Sequence, residues 1–357
     1  MDKRTKVMVA MSGGVDSSVA AARLIEQGYD CAGVFVRMLP PDMKLDDNLK
    51  GHLSDAQRVC KQLGIELNVV DYSWDMQQII NYFTYEYSQG RTPNPCVKCN
   101  AKLKFGKLLA FARQMGAQYL ATGHYARIVQ HAGSPRLARA KFREKDQSYV
   151  LFGIRRPELG CILFPNGEAE SKDEIRAKAK ELNLAIHDKE DSQEICFVPE
   201  DDYVKFLGAY EGVLGKPGPI IDLNGHILGE HQGIFRYTIG QRRGLRIAAG
   251  EPLYVVKIDS MANTIVVGPR NALASRGLIA SELVWHIPVP RGPTQVHAQI
   301  RYSHQAAPAV AEVVGADRVR VQFEQPQFAI TPGQAVVFYD NEIVMGGGWI
   351  VSSESGE

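Results

Sequence analysis

Ser12-Gly13-Gly14-Val15-Asp16-Ser17-Ser18 lies directly after the apolar run Lys6-Val7-Met8-Val9-Ala10-Met11 and directly before Val19-Ala20-Ala21-Ala22-Arg23-Leu24. The three pieces spell a strand, a tight polar turn and a helix. Adjacent glycines let the backbone fold sharply and approach a ligand closely, and the first N–H groups of the new helix point into the turn. Such a turn suits an anion of pyrophosphate size. The hydroxyls of Ser12, Ser17 and Ser18 add donors, and Asp16, an acid among anion-binding groups, makes sense if Mg²⁺ arrives with the phosphates. The plainer alternative is a capped helix after a buried strand.

Competing phosphate motifs fail on spacing. A Walker loop needs Gly-Lys followed by Ser or Thr, whereas the Gly-Lys pairs here continue as Gly106-Lys107-Leu108 and Gly215-Lys216-Pro217. No Gly-x-Gly-x-x-Gly follows the first strand, which disfavours a dinucleotide site. The spelling from Ser12 to Ser18 resembles the PP-loop of ATP pyrophosphatases. That resemblance implies adenylation chemistry, with ATP cleaved to AMP and pyrophosphate.

The chain has 357 residues, room for two or three cores. Its 45% apolar and 23% charged residues are ordinary for a soluble protein, and no apolar stretch nears the roughly 20 residues that span a bilayer, so no membrane partner is expected. A net charge of +1 excludes an all-round basic surface but leaves a local basic face for nucleic acid open. With no signal peptide ahead of the first strand, the six cysteines read as reduced thiols and the cytoplasm is the expected compartment. Cys31, Cys60 and Cys161 fall in apolar patterns and are expected in the core.

Up to about residue 125, strand and helix signals alternate: Thr5–Met11, a helix after Asp16, Cys31–Arg37, a helix around Ser54–Gln62, Ile65–Asp71, another helix, Leu103–Gln114, then Tyr119–Thr122. This alternation predicts a doubly wound parallel sheet. Ser171 followed by Glu174 predicts a capping box opening a helix over Lys172–Leu182. After about Glu200, short β-branched runs separated by Gly, Pro and Asn predict small β-rich units or barrels. The expected fold class is α/β: an adenine nucleotide alpha hydrolase-like PP-loop domain over 1–205, a central β-rich domain over 206–278, and a C-terminal β-barrel over 279–357.

Arg91-Thr92-Pro93-Asn94-Pro95-Cys96-Val97-Lys98-Cys99-Asn100 is the second informative stretch. Its prolines stiffen the chain and bias Thr92 and Asn94 toward extended geometry. Cys99 precedes a candidate helix over Ala101–Gln114, so helix-terminal N–H groups with Lys98, Lys102 and Lys104 are expected to lower its pKa toward a reactive thiolate. Asp191-Ser192-Gln193-Glu194-Ile195-Cys196-Phe197 offers a third cysteine in a polar-to-apolar loop.

The two cysteine loops resemble those of the tRNA-specific 2-thiouridylases, the MnmA family. The resemblance runs nearly end to end, through the PP-loop, Thr92-Pro93-Asn94-Pro95, Thr122-Gly123-His124-Tyr125-Ala126, Lys145-Asp146-Gln147-Ser148-Tyr149, Tyr237-Thr238-Ile239-Gly240-Gln241-Arg242-Arg243-Gly244-Leu245, Arg301-Tyr302 and Thr331-Pro332-Gly333-Gln334. It implies ATP contacts at Ala10, Met11, Ser12, Gly13, Gly14, Val15, Asp16 and Ser17, at Val36 and at Gly123. It implies a persulfide on Cys196, delivered by a cysteine desulfurase or sulfur-relay protein, and Cys99 as the partner thiol. The implied substrate is the wobble uridine of a tRNA. Asn94, Pro95 and Cys96 would face the base, with His124, Lys145, Asp146, Gln147, Arg301, Tyr302 and Gln334 touching the tRNA.

Uracil O2 is a poor leaving group, and transfer of AMP to it makes it one that sulfur can displace. Attack of Cys99 on the persulfide would release sulfide and leave a Cys99–Cys196 disulfide, requiring Cα atoms about 4.4–6.8 Å apart at that stage. Well-known family members carry an acid where this chain has Cys96, so the general acid–base role there is open, with His124, water or phosphate as substitutes. A second route stays open too: Cys96, Cys99 and Cys196 as ligands of a [4Fe–4S] cluster with one free iron. A structural zinc lacks a fourth ligand in sequence. Two basic runs, Arg136, Arg139, Lys141, Arg143 and Lys145, and Arg236, Arg242, Arg243 and Arg246, are expected to meet RNA phosphates. The competing readings are another PP-loop adenylating ligase, which does not need the cysteines, and a non-catalytic RNA binder, which leaves the PP-loop unexplained.

Overall fold

Val7, Met8 and Val9 are fully buried at the centre of strand β1 (Lys6–Ala10), an apolar run with no polar alternation. A strand covered on both faces demands that composition. The computed structural model describes residues 5–39, 46–184, 186, 195–198, 202–210, 215–248 and 250–354, with backbone alone over 46–50. Asp191, Ser192, Gln193 and Glu194, expected beside Cys196, lie outside the described residues.

The chain divides into two compact units, the first made of Met1–Ile79, Cys96–Phe197 and Glu342–Val344, the second of Ile80–Pro95, Val198–Asn341 and Met345–Glu357. In the first, β1 leads to α1 (Val15–Glu26), β2 (Asp30–Arg37), α2 (Asp46–Leu63), β3 (Leu67–Asp71) and the start of α3 (Ser73–Ser88). Then follow α4 (Pro95–Cys99), a π-helix (Asn100–Leu108), α5 (Leu109–Gln114), β4 (Tyr119–Ala121), the hairpin β5 (Ala126–His131) and β6 (Ser134–Arg139), α6 (Ser148–Leu151), β7 (Ile162–Leu163) and α7 (Lys172–Glu181). The sheet order is β3-β2-β1-β4-β7, with every adjacent pair parallel. Chain direction across the sheet reverses between β1 and β4. Ligands of open α/β sheets bind at the carboxyl ends of the two strands flanking such a reversal.

The predicted capping box at Ser171 forms in part. The Ser171 hydroxyl accepts from Glu174 N at 3.2 Å, while the Glu174 carboxylate accepts from Glu170 N at 2.8 Å, one residue outside the usual partner. In the second unit, α8 (Tyr203–Ala209) precedes β8 (Gly218–Ile221), β9 (Ile227–His231), β10 (Tyr254–Asp259) and β11 (Thr264–Gly268), a four-stranded sheet ordered β10-β11-β8-β9. The six strands β12 (Ala274–Trp285), β13 (Thr294–Gln299), β14 (Ala307–Gly315), β15 (Arg318–Phe328), β16 (Ala335–Asp340) and β17 (Ile343–Glu354) follow. They close into a barrel through pairing of β12 with β17. Its interior is Leu278, Val296, Val319, Val321, Phe323 and Phe338, contributed by alternate strand positions. Among the described residues no helix is long and apolar enough to cross a membrane.

Candidate active site

The PP-loop leaves the carboxyl end of β1 and the Thr122-Gly123-His124 loop leaves that of β4, so both stand at the reversal point. Gly13 has φ +74°, and a Cβ on it would lie 2.2 Å from the His52 carbonyl oxygen. Only glycine fits there. Gly14 caps α1. Ser17 Oγ donates to Gly14 O at 3.1 Å and Ser18 Oγ to the same oxygen at 2.9 Å, and both serines are buried. Ser18 turns inward to brace the loop, and Ser12, held 3.1 Å from Ser17 Oγ, is the exposed one.

Asp16 Oδ1 accepts from Lys172 Nζ at 2.6 Å and from Tyr125 OH at 2.7 Å. Asn166 Nδ2 donates to Asp16 O at 2.8 Å and reaches Gly123 O at 3.3 Å, tying the two loops together. A Cβ on Gly123 would lie 2.7 Å from Asp16 C and Ser17 N, so glycine there permits this close approach of backbone. Lys172 and Asn166 escaped the sequence reading because they come from more than a hundred positions away, with no local spelling. Met11 N donates to Val34 O at 2.8 Å, and Ala10 and Val36 are half-buried ends of β1 and β2. Val15 is buried in the first turn of α1.

The cysteine helix differs from expectation. It begins at Pro95, a residue suited to a first helical turn because its missing N–H has no partner to lose. Cys99 therefore lies inside the helix, beyond reach of the terminal N–H groups that were to acidify it. It is 7% exposed, and burial pushes its thiol pKa up against the pull of the Lys104 ammonium. Cys96 is raised as well, by burial first, with Lys104 lowering and Cys99 raising it. Cys196 is exposed, and its thiol pKa is raised by desolvation first, with Cys99 and Cys96 pushing the same way against Lys104. Three thiols thus share one cation.

Lys104 lies in the π-helix over Asn100–Leu108, five residues after Cys99, the spacing of that helix's i→i+5 bonds. Met38 Sδ lies 4.0 Å from Cys99 Sγ. Among the described residues no three His, Cys, Asp or Glu side chains converge to hold a metal ion, so the three thiols do not fit an iron–sulfur cluster in this arrangement. Burial raises Cys60, a core thiol, to about 11, and Cys31, half-buried against the same core, likewise with help from Asp30. Cys161 departs from the core expectation: it is half-buried and hydrogen-bonded to Arg113.

His124 Nδ1 lies 2.7 Å from Thr122 Oγ1, and its ring sits against Phe105 and Phe164 with centroids 5.9 and 6.1 Å away. Burial first, and Lys104 second, hold its pKa well below the ordinary histidine value. The imidazole is therefore neutral at physiological pH, which disfavours His124 as a cationic general acid in place of Cys96.

Residues expected on tRNA divide sharply. Asp146 accepts from Arg139 at 2.9 Å, Ala140 N at 2.9 Å and Ser148 Oγ at 2.7 Å, and Gln147 Oε1 accepts from Tyr125 N at 2.9 Å. Both brace a turn, and Lys145 just before them is half-buried. In the first basic run Arg136 is buried, Arg139 pairs with Asp146, Lys141 with Glu168 and Arg143 with Glu342. The expected basic face there is largely neutralised within the fold. In the second unit Arg242, Arg243 and Arg246 are exposed, and Arg242 and Arg246 line a cavity of about 190 Å³. Tyr302 is 46% exposed, Arg301 Nη2 donates to Ile239 O at 3.0 Å and Gln334 Nε2 donates to Thr92 O at 2.9 Å. Asn94 and Cys96 are half-buried and Pro95 is buried.

A parallel sheet with a phosphate loop at its reversal point, followed by a small β-sheet and a closed barrel, defines the class of ATP-using PP-loop enzymes with appended β domains. Family models match over nearly the whole chain: a tRNA methyl transferase HUP domain over 5–200, a tRNA methyl transferase PRC-barrel domain over 204–269 and an aminomethyltransferase beta-barrel domain over 275–350. The tRNA-specific 2-thiouridylase of Syntrophotalea carbinolica is 47% identical over 98% of this chain and 99% of its own length. That of Carboxydothermus hydrogenoformans is 47% identical over 97% and 98%. The chain belongs to the tRNA-specific 2-thiouridylase family. Among solved structures, the U34-tRNA thiolase NcsA from Methanococcus maripaludis with its [4Fe-4S] cluster is similar at 18% identity and TM-score 0.36, covering 57% of this chain and 65% of its own.

Proposed function

We propose that this protein is an ATP-dependent tRNA 2-thiouridylase that replaces O2 of the wobble uridine with sulfur. The observation that carries the reading is the PP-loop at the reversal point of the sheet, in the same unit as Cys96, Cys99 and Cys196. ATP lies along Ala10, Met11, Ser12, Gly13, Gly14, Val15, Asp16 and Ser17, with Val36 and Gly123 lining the nucleotide. The loop N–H groups and Ser12 hold the phosphates. Asp16 would be the carboxylate to share a Mg²⁺ with them, an ion that would neutralise phosphate charge and is commonly held by one or two carboxylates plus phosphate oxygens.

Uridine O2 attacks the α-phosphorus and pyrophosphate leaves, so O2 becomes part of an AMP ester. Cys196 carries a persulfide whose outer sulfur comes from a cysteine desulfurase or sulfur-relay protein. The Cys99 thiolate attacks Cys196 Sγ, the S–S bond breaks toward the outer sulfur, and hydrosulfide is released beside a new Cys99–Cys196 disulfide. Hydrosulfide adds at C2, its proton passes to a base such as His124, and AMP departs with the original oxygen. A thiol reductant restores both cysteines. The raised thiol pKa values mean that Cys99 reaches its thiolate only with help, and Lys104 is the cation positioned to give it.

Asn94, Pro95 and Cys96 face the uridine, and Lys145, Tyr302 and the exposed Arg242, Arg243 and Arg246 contact tRNA. We assign nucleotide and sulfur chemistry to 1–205, and tRNA binding to 206–278 and the barrel of 279–357, in a cytoplasmic setting. Incubation with ATP, Mg²⁺, a persulfide donor and unmodified tRNA should yield 2-thiouridine by nucleoside mass spectrometry, with one pyrophosphate per modified base. Pyrophosphate release independent of tRNA, with no thiolated nucleoside, would overturn the reading.

A further inference from the structure

One short turn of the first unit reaches both the PP-loop and the loop that carries His124. Residues 164–167 follow β7 and double back at once, with Gly167 N donating to Phe164 O at 3.0 Å. Asn166 is fully buried in this turn, and its Nδ2 donates to Asp16 O at 2.8 Å and to Gly123 O at 3.3 Å. Phe164, two residues earlier, meets the His124 ring edge to face, with the ring planes at 74°. The turn is anchored from both sides. Arg23 Nη1 of α1 donates to Pro165 O at 3.0 Å, and Lys141 N donates to Gly167 O at 3.0 Å. A Cβ on Gly167 would stand 1.8 Å from Ala126 O, so the turn lies directly against the chain that follows His124.

Burial alone does not account for an amide at this position. Asn166 Oδ1 takes no hydrogen bond among the described residues, and an unpaired buried acceptor costs stability that an apolar side chain of similar size avoids. Turning the amide over would set Oδ1 against two carbonyl oxygens, so only the donor end fits between Asp16 and Gly123. What the amide adds is a bridge. Asp16 stands in the first turn of α1, within the PP-loop, and Gly123 immediately precedes His124.

We propose that Asn166 is a positioning residue that holds the PP-loop and the loop of Gly123 and His124 in one register, so that activation of the uridine at the first is followed by sulfur addition beside the second. The inference rests on the thiolation reading above. Each loop keeps bonds of its own, from Ser17 and Ser18 Oγ to Gly14 O in one and between Thr122 Oγ1 and His124 Nδ1 in the other. Loss of the bridge therefore shifts the loops against each other while leaving each intact. A displacement of about 1 Å at a reacting group can cost on the order of a hundredfold in rate.

The test compares wild type with Asn166→Leu, which keeps the volume and removes the donor, and Asn166→Asp, which keeps the shape and sets an acceptor against both carbonyls, with folding checked by thermal melting. Where Asn166→Asp does not fold, Asn166→Leu carries the comparison. With ATP, tRNA and a persulfide donor saturating, single-turnover 2-thiouridine formation should fall about tenfold to a hundredfold in Asn166→Leu. The calorimetric Kd for ATP with Mg²⁺ should stay within about threefold of wild type, because the phosphate donors belong to the PP-loop itself. A weaker Kd with the rate restored at saturating ATP would make Asn166 a support for ATP binding alone and overturn the proposal, as would an unchanged rate. Hydrogen exchange without tRNA or donor gives a readout independent of activity. Amides of residues 122–126 should exchange several-fold faster in Asn166→Leu, while those of β2 in the same sheet should not. Unchanged exchange over 122–126 overturns the positioning role even if wild type forms no 2-thiouridine, whereas failure of the thiolation reading would appear as wild-type inactivity with the exchange difference intact.

Discussion

The PP-loop and the cysteine helix stand in the same unit and are built by opposite means. The loop is made locally: Gly13 in a left-handed turn, Gly14 as cap, and the Ser17 and Ser18 hydroxyls folded back on Gly14 O, all within seven residues. The cysteine helix takes its chemistry from its surroundings. Burial raises its thiols, and Lys104, carried on the π-helix that follows, counters that in part. A phosphate site needs fixed dipoles that a short peptide can supply, whereas thiol reactivity depends on tertiary environment.

The largest expected effect separates the two regions. Cys99→Ser should remove 2-thiouridine formation by more than about a thousandfold while leaving tRNA-dependent pyrophosphate release within a few-fold of wild type. Parallel nucleoside mass spectrometry and pyrophosphate assays check this. Loss of both in a folded protein would mean that the regions are not separable.

Gly13→Ala should do the reverse. A Cβ 2.2 Å from the His52 carbonyl and an unfavourable φ should cost about 2–4 kcal/mol in stability and remove ATP cleavage. Urea unfolding and ATP titration measure both, and a variant with wild-type stability and ATP affinity would contradict the close contact. Lys104→Gln comes next. Removing the shared cation should raise the pKa of Cys96, Cys99 and Cys196 and also that of His124, since Lys104 lowers all four. Iodoacetamide labelling of Cys99 at pH 8 should slow by about tenfold per unit of rise. Labelling of Cys60, outside the reach of that cation, should not change.

The smallest effect is on stability with pH. The Cys31 and Cys60 thiols are raised in the fold from an ordinary 9.0 to about 11, so their contribution is complete below about pH 9 and is lost as pH rises through about 11. His124 is depressed from 6.5, so its contribution is present above that value and is lost as pH falls through the lower folded pKa. Thermal melts should therefore show a plateau between about pH 6.5 and 9, and Cys60→Ala should flatten its alkaline side. A melt that climbs with pH beyond 9 would contradict the burial of these thiols.

Local features were legible in the sequence for a physical reason. Alternating apolar runs predicted the parallel sheet, the Ser171 cap predicted α7, and the glycine spelling predicted the loop, since each depends on neighbours in the chain. What the sequence hid are partners from afar. Asp16 is held by Lys172 and Tyr125, and Gly123 is required by backbone packed against it rather than by a ligand alone. The ion pairs of the first basic run with Asp146, Glu168 and Glu342 were likewise hidden, because most of these partners come from elsewhere in the chain. The helix start at Pro95 was masked by the habit of reading two prolines as a loop, although proline suits a first helical turn.

The most direct test of the account is Cys196→Ser assayed with ATP, Mg²⁺, a persulfide donor and unmodified tRNA, reading pyrophosphate and 2-thiouridine in the same tube. The account predicts pyrophosphate release near the wild-type first-turnover rate with no 2-thiouridine. Wild-type amounts of 2-thiouridine from this variant would contradict it.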